Sequence, residues 1–283
     1  MSKGIIHSDD FELRYSIEGK GPVVLVVGSA VYYPRTFSAS LRRSFKFVFV
    51  DHRGFARCSR VPTREDFRFE KILEDIELVR KKLQLGRVII MGHSGHGYMA
   101  LEYAKRFPES VSRVVIIATG ASHNAADAQL GERHWQEAVC PERKAKLAQD
   151  LEKLNEEIAA RPESRFITFC IRLGAKSWFD HNFDAAPLWA GVEVNMTGMD
   201  YLWGEVFRDL DVGLGLNELQ APVLLIMGRF DYLVAPAASW DRWRSSFKSL
   251  TVRIFDRSAH TPQLEEHENF DSELIDWLEK DPV

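Results

Sequence analysis

Three widely spaced side chains could together carry out nucleophilic catalysis: Ser94, Asp231 and His260. A serine hydroxyl is a weak nucleophile at neutral pH, so it needs a base, a group that orients the base and a site for the oxyanion. The chain order Ser, Asp, His is the order of one hydrolase architecture. Each residue alone has an ordinary alternative: an N-capping serine, an aspartate in a turn and a solvated loop histidine. The combination is more specific than any single member.

Ser94 is placed at the start of a predicted helix, three residues after the apolar run 87–91. The sequence around it is "GHSGHG", and these glycines permit a strained backbone and close packing on both sides of the serine. The N-terminus of the following helix also favours negative charge nearby. These features predict a nucleophile on a tight strand-to-helix turn.

The other two residues also follow predicted strands. Asp231 comes shortly after the run 223–227, and His260 lies in the loop after the last run, 251–255. In a parallel α/β sheet, groups at the carboxyl ends of the strands gather at one edge. We therefore expect Asp231 to orient His260 beside the serine.

The hydrophobic runs predict a doubly wound α/β fold. Six short runs, many rich in valine and isoleucine, are continuous rather than alternating, which is typical of strands buried on both faces of a parallel sheet. Helical patterns separate most of them, and segments 4–7 and 11–18 are typical of an antiparallel hairpin. The sequence therefore predicts an eight-stranded, mostly parallel sheet.

A helical insertion interrupts this alternation. The segment 141–160 is charged and helical, and an aromatic-rich region follows it. We predict that residues 123–217, named the insertion below, form a lid over the strand ends, and that residues 1–122 and 218–283 form the core domain. The aromatic residues of the insertion suggest an apolar pocket. They include Trp178, Phe179, Trp189, Tyr201, Trp203 and Phe207.

Composition argues against several other classes of protein. A formal net charge of −4, from 37 basic and 41 acidic residues, gives no electrostatic case for binding nucleic acid or an anionic membrane. Cys58, Cys140 and Cys170 suit neither a disulfide framework nor a zinc site, which favours a reducing compartment. No apolar segment reaches the roughly 18 residues of a membrane span. We expect a cytoplasmic protein without a metal or cofactor, acting on a small-molecule acyl substrate.

Four segments of the sequence resemble the α/β-hydrolase superfamily. They are "GHSGHG" at 92–97, "VDHRGFARCS" at 50–59, "MGRFDYLVAP" at 227–236 and "SAHTPQLEEHENF" at 258–270. The second and fourth look most like the proline iminopeptidase-like branch, which shares them with esterases. The resemblance covers residues 20–122 and 220–280. It implies that Ser94 is the nucleophile, His260 the general base and then acid, and Asp231 its orienting partner.

The same resemblance implies an oxyanion hole built from two main-chain N–H groups. One belongs to Gly95, directly after the nucleophile. The other is expected in "VVGSAVYYP", where the family usually has His-Gly-X and this chain has Val27, Gly28 and Ser29. Ser29 takes the donor position, with Ala30 as the alternative. The missing histidine need not abolish a hole made by main-chain donors.

His96 departs from the family pattern, because glycine is usual two residues after the nucleophile. A larger side chain is tolerable there only if it points away from the neighbouring backbone. We expect the imidazole to pack against an adjacent strand end; the alternative is that it assists substrate binding or tunes the triad. Neither His96 nor His93 is expected to be the general base, since the tight turn constrains both.

These observations predict a serine hydrolase that cleaves a small-molecule ester or amide by acyl transfer. The resemblance suggests a proline iminopeptidase-like aminopeptidase, in which acidic lid residues bind the free amine of the substrate. Glu193 and Glu205 are candidate counterparts of those residues. The alternatives are a carboxylesterase or lactonase with a neutral apolar pocket, and a non-catalytic binding protein on the same fold.

Overall fold

The computed structural model describes residues 1–138 and 140–280, and within them a nine-stranded sheet forms the centre of the protein. The strands are β1 Ser2–Ser8, β2 Phe11–Gly19, β3 Val23–Gly28, β4 Lys46–Asp51, β5 Arg57–Cys58, β6 Val88–His93, β7 Val111–Ile117, β8 Val223–Gly228 and β9 Leu250–Phe255. Their order across the sheet is β1-β2-β4-β3-β6-β7-β8-β9, and β5 pairs with β2.

Six neighbouring strands, β4, β3, β6, β7, β8 and β9, are parallel, and β1 and β2 form an antiparallel hairpin at one edge. The predicted mostly parallel sheet is thus confirmed, and each of the six apolar runs coincides with a strand to within two residues at its ends. The ninth strand, β5, was not predicted, because two residues are too short to produce a hydrophobic run.

Short helices connect the strands. They are α1 Leu41–Ser44, α2 Phe69–Lys82, α3 Gly95–Arg106, α4 Ala125–Ala138, α5 Pro141–Glu152, α6 Leu154–Ala160, α7 Arg165–Arg172, α8 Gly174–Ser177, α9 Ala186–Trp189, α10 Met196–Tyr201, α11 Phe207–Asp209, α12 Pro262–Glu265 and α13 His267–Glu279. A π-helical turn, Leu202–Val206, joins α10 to α11, and a 3₁₀ segment, Ala237–Ser246, lies between β8 and β9.

Helices cover both faces of the sheet. Successive strand residues point to opposite faces, so each parallel strand presents apolar side chains to both layers of helices. Leu25 and Val27 of β3 belong to the hydrophobic cluster that includes α2 and α3. Val24 and Val26 belong to the cluster on the other face, which includes α1 and α13. This double burial explains why the parallel strands have continuous apolar sequences.

The described residues between β7 and β8 contain helices α4 to α11 and no strand. The predicted helix 141–160 is divided at Lys153 into α5 and α6. The proposed bounds of the insertion, 123–217, and of the core, 1–122 and 218–283, stay predictions; residues 139 and 281–283 lie outside the described residues. None of the described helices is long and apolar enough to cross a membrane.

Candidate active site

Ser94 occupies a tight turn between β6 and α3. Its φ of +57° is in the left-handed region, which a side-chain-bearing residue adopts only where the surroundings enforce it. Two hydrogen bonds of 2.8 Å hold this residue, from its N–H to the Ile117 carbonyl and from Thr119 Oγ1 to its own carbonyl. Glycine is required at position 92, two residues earlier in β6, because a Cβ there would lie 2.0 Å from the His96 carbonyl oxygen. The strand-to-helix turn predicted at this position is present.

Asp231 and His260 form a buried pair at the neighbouring strand ends. His260 Nδ1 lies 2.8 Å from Asp231 Oδ2, and the two residues are only 6% and 2% exposed. Asp231 Oδ1 accepts the N–H of Leu233 at 2.9 Å, so the loop after β8 fixes the carboxylate. Because Nδ1–H donates to the carboxylate, the other ring nitrogen, Nε2, carries the lone pair that a general base needs.

The backbone of His260 is also held on both sides. Its N–H donates to the carbonyl of Ser177 in α8 at 2.9 Å, and its carbonyl oxygen lies 2.6 Å from His93 Nε2. The loop that carries His260 is therefore attached both to the insertion and to β6.

Glu265, in α12, binds the main chain of the loop that carries His260. Its carboxylate accepts the N–H groups of Ala259 and Thr261 at 3.0 Å and that of Phe179, in the insertion, at 2.6 Å. Burial raises the pKa of this carboxyl to about 7, although the three backbone donors oppose the rise and nearby Asp231 adds to it. A single carboxyl thus joins the loop that carries His260 to the insertion.

Ser94 and His260 line one cavity of about 340 Å³. The structure therefore brings the three predicted residues to the same edge of the sheet. Within residues 1–138 and 140–280, however, the Ser94 hydroxyl makes no hydrogen bond, to His260 or to any other group. Catalytic hydrogen bonds are often absent or long in a ligand-free site and form only when the substrate is bound.

Two main-chain N–H groups near Ser94 are the predicted oxyanion donors; Ser29 lines the cavity and Gly95 directly follows Ser94. Neither Ser29 N–H, after β3, nor Gly95 N–H, at the start of α3, donates to a described residue. The alternative donor, Ala30 N–H, is bound to Asp51 Oδ1 at 2.7 Å. Asp51 is in turn paired with Arg14, while burial raises the pKa of its carboxyl to about 6. The geometry favours Ser29 over Ala30, and Asp51 fixes the loop that carries it.

The cavity walls are apolar and largely aromatic. Four consecutive inward positions, Phe166, Phe169, Cys170 and Leu173, come from α7 and its C-cap, at spacings of three, one and three residues. These spacings place them on one face of the helix. Burial raises the pKa of the Cys170 thiol to about 12, so this thiol is not a competing nucleophile. The remaining aromatic walls are Tyr32, Tyr33, Phe55, Trp178, Trp189 and Trp203.

Neither glutamate suggested as an amine ligand contacts this cavity. Glu193 pairs with Arg57 and Glu205 with Arg64, and all four side chains are substantially exposed. No aspartate, glutamate, lysine or arginine of the described chain is among the cavity walls. The titratable groups that do line it include histidines, of which His260 is one.

The His96 side chain lies among the ends of β6, β3 and β4, and its Nδ1 is 3.0 Å from the carbonyl oxygen of His93, the last residue of β6. Its ring is 4% exposed, packs against Phe55, and lies within hydrogen-bonding distance of His52 and Tyr33. Burial lowers its pKa to about 4. The expectation that it packs at an adjacent strand end agrees with this geometry, although His96 also lines the cavity.

Sequence reasoning missed three residues that the structure places around the site. Tyr33 and His52 come from loops after β3 and β4, and Glu265 comes from α12. Their sequence signals are weak: a tyrosine and a histidine after predicted strands, and a glutamate five residues after His260. Only the folded chain shows that Tyr33 and His52 contact histidines of the site and that Glu265 binds the main chain of the loop that carries His260.

Comparison with known proteins bears on the site described above. The family model for the alpha/beta hydrolase fold matches residues 26–267. The AB hydrolase superfamily protein YclE of Bacillus subtilis is 44% identical over 277 residues, which cover 98% of this chain and 99% of that protein.

Two solved structures show the same fold at low sequence identity. A proline iminopeptidase from Mycobacterium smegmatis has a TM-score of 0.74 at 16% identity, over 99% of this chain and 98% of that one. The esterase EaEST from Exiguobacterium antarcticum has a TM-score of 0.69 at 18% identity, over 98% and 99%. At such identities the likeness concerns the fold alone.

Proposed function

Because the chain belongs to the alpha/beta hydrolase fold family, we propose that it is a serine hydrolase that cleaves esters of apolar acyl groups. The observation that carries the proposal is the buried His260–Asp231 pair, which opens with Ser94 onto one apolar cavity. A hydroxyl, a base with its orienting carboxylate and two free main-chain donors are the parts that acyl transfer needs.

The proposed reaction has two steps. Ser94 Oγ attacks the ester carbonyl while His260 Nε2 takes its proton, and the oxyanion is stabilised by the N–H groups of Ser29 and Gly95. His260 then protonates the leaving alkoxide, which departs as the alcohol. Water, activated by the same histidine, attacks the acyl-enzyme and releases the carboxylic acid.

The lining of the cavity favours an ester with a neutral acyl group over an aminoacyl amide. A substrate ammonium group would have to leave water for a site where none of the described walls is a carboxylate, which is costly without an ion-pair partner. Aromatic and aliphatic walls instead favour an apolar acyl chain. The insertion, which supplies α7 and three of the tryptophans, acts in this proposal as a lid that selects the acyl group.

Labelling with a fluorophosphonate probe tests the nucleophile. We expect the wild type to be labelled at Ser94, Ser94→Ala to be unlabelled, and His260→Gln to be labelled much more slowly. His7→Gln is the matched control, since His7 is an exposed residue of β1, at the edge of the sheet opposite β9. A folded wild type that resists the probe would instead favour a non-catalytic binding protein.

A substrate panel tests the class. Hexanoyl and phenylacetyl esters should be hydrolysed, and leucyl and prolyl amides of similar size should not, with Ser94→Ala as the blank. Efficient cleavage of the aminoacyl amides would overturn the ester assignment in favour of an aminopeptidase.

A further inference from the structure

We propose that His52, His96, Tyr33 and His93 form one directional hydrogen-bond chain that positions His260 through its backbone carbonyl. The inference rests on the role of general base proposed for His260. All four side chains are buried, and they come from the ends of three neighbouring strands, β4, β3 and β6, and from the start of α3. The mechanism above assigns no task to any of them.

At one end of the hydrogen-bond chain, a main-chain donor fixes the tautomer of His52. The N–H of Gly54 lies 3.0 Å from His52 Nδ1, and an N–H group can only donate, so Nδ1 carries no hydrogen. In a neutral imidazole the hydrogen then sits on Nε2. His52 Nε2 lies 3.2 Å from His96 Nε2 and donates to it.

At the other end of the hydrogen-bond chain, a main-chain acceptor fixes the tautomer of His93. The carbonyl oxygen of His260 lies 2.6 Å from His93 Nε2, and a carbonyl can only accept, so this nitrogen carries the hydrogen. His93 Nδ1 is then unprotonated. It lies 3.2 Å from the hydroxyl of Tyr33, which donates to it.

The two ends leave one consistent arrangement in the middle. His96 Nε2 accepts from His52, so its hydrogen is on Nδ1, which lies 2.8 Å from the Tyr33 hydroxyl and 3.0 Å from the His93 carbonyl. The single Nδ1 hydrogen of His96 is shared between these two acceptors, with Tyr33 Oη the nearer. Tyr33 gives its own hydrogen to His93 Nδ1, and a weaker contact joins its hydroxyl to the His93 carbonyl at 3.4 Å.

Every member is satisfied in this arrangement without a charged imidazole. Burial, the largest cause for each, lowers the pKa of His52, His93 and His96 below the usual range for histidine, so all three remain neutral at pH 7.

The consequence concerns the position of His260. The carboxylate of Asp231 accepts a hydrogen bond from the His260 ring, and the carbonyl of Ser177 accepts one from its N–H. The proposed hydrogen-bond chain ends on its carbonyl oxygen. The terminal link is His93, whose own orientation depends on Tyr33. His52, His96, Tyr33 and His93 are therefore positioning residues that act through His260, and small displacements of a reacting group are costly to catalysis.

The tautomers provide a direct test that does not depend on activity. Long-range proton–nitrogen NMR of ¹⁵N-histidine-labelled enzyme at pH 7 should show His52 and His93 in the Nε2–H form and His96 in the Nδ1–H form. Signals are assigned with the corresponding single His→Gln variants. A His93 signal in the Nδ1–H form, or a charged His96, would contradict the proposed hydrogen-bond chain.

A kinetic comparison tests the positioning role. Tyr33→Phe removes the donor to His93 while keeping the ring, so we expect kcat for an ester, per site titrated with fluorophosphonate, to fall about tenfold with little change in KM. Tyr103→Phe is the matched control, because it removes another buried hydroxyl, bound to Glu77 in α2, away from the cavity. Equal kcat for Tyr33→Phe and the wild type would contradict the proposal.

Two further variants test whether Tyr33 acts through His93. The double variant Tyr33→Phe/His93→Leu should be no slower than His93→Leu alone, since the link to His260 is already lost. His93→Gln, whose amide can still donate to the His260 carbonyl, should recover part of the rate. Additive losses, or no recovery, would show separate structural effects. If Ser94 proves not to be the nucleophile, the tautomer spectrum still decides whether the chain exists.

Discussion

At the scale of single residues, the chemistry depends on which nitrogen of each histidine carries its hydrogen. Asp231 determines this for His260, because its Oδ2 accepts from Nδ1 while its Oδ1 is occupied by the Leu233 N–H. Because both oxygens accept a hydrogen bond, an amide of the same shape, with only one acceptor oxygen, could not replace the carboxylate.

Asp231→Asn should therefore lower kcat by about 10⁴. The amide would keep its oxygen on Leu233 N–H and turn its NH₂ toward His260, so the imidazole would have to accept at Nδ1 and keep its hydrogen on Nε2, where it cannot act as a base. The measurement is steady-state ester hydrolysis, with thermal unfolding to verify the fold. Asp256→Asn, an exposed aspartate paired with Arg229, is the control. A nearly unchanged kcat in Asp231→Asn would contradict the assignment.

At the scale of secondary-structure elements, three strand ends and their loops determine the site. The β6–α3 turn holds Ser94 at φ +57°, the loop after β3 presents the Ser29 N–H, and the loop after β9 carries His260. Glu265, at the end of α12, binds the last of these loops to the insertion. Its pKa, raised by burial to about 7 from the ordinary 4.5, couples this attachment to pH.

The pKa of Glu265 predicts a pH-dependent difference in stability between the wild type and Glu265→Gln. The unfolded chain loses this proton near pH 4.5 and the folded chain near pH 7, so the folded state binds more protons between these values. The contribution of Glu265 to stability is therefore complete below pH 4.5 and is lost as the pH rises to 7, by about 1.4 kcal/mol per pH unit.

Urea unfolding at a series of pH values measures this effect. The free energy of unfolding of Glu265→Gln, relative to the wild type, should rise between pH 4.5 and 7 and level off above. The NH₂ group of glutamine facing Phe179 N–H adds a constant offset that does not depend on pH. A difference that stays flat from pH 4.5 to 7 would refute the shifted pKa.

At the scale of the whole molecule, the insertion is attached to the sheet domain by main-chain hydrogen bonds beside the site. The N–H groups of His260 and Tyr232 donate to the carbonyls of Ser177 and Lys176, and Asn195 N–H donates to the Gly54 carbonyl at 2.7 Å. A further ion pair, between Asp127 of α4 and Arg242, joins the two parts on another side. Because loss of the insertion would also expose the aromatic cavity, we expect the two parts to unfold together.

Fluorine NMR of protein labelled with 5-fluorotryptophan measures this cooperativity without a substitution. Trp135, Trp178, Trp189 and Trp203 report on the insertion, and Trp240, Trp243 and Trp277 on the core. All seven signals should disappear at the same urea concentration, as expected for one cooperative unit. An earlier transition of the four insertion signals would show a lid that opens independently of the core.

The sequence alone determined the features that depend on local pattern and chain order. Buried parallel strands require continuous apolar runs, and a glycine-flanked serine after such a run predicts a turn; these patterns indicated the sheet, the place of Ser94 and the order Ser94, Asp231, His260. Ser29 was predicted through the resemblance to the α/β-hydrolase superfamily, which implies a main-chain donor in the segment after β3. Such features are encoded within a few neighbouring residues.

Tertiary structure alone decided what depends on contacts between distant segments. That Ala30 N–H is occupied by Asp51, that Glu193 and Glu205 lie in surface ion pairs, and that His96 faces His52 and Tyr33 are results of packing between separate loops. Hydrogen-bond partners across a fold have no fixed spacing in the chain, so no local pattern encodes them. The sequence could therefore indicate the reacting groups and an aromatic, apolar pocket, while the folded chain decided the contacts that support those groups and the side chains that line the cavity.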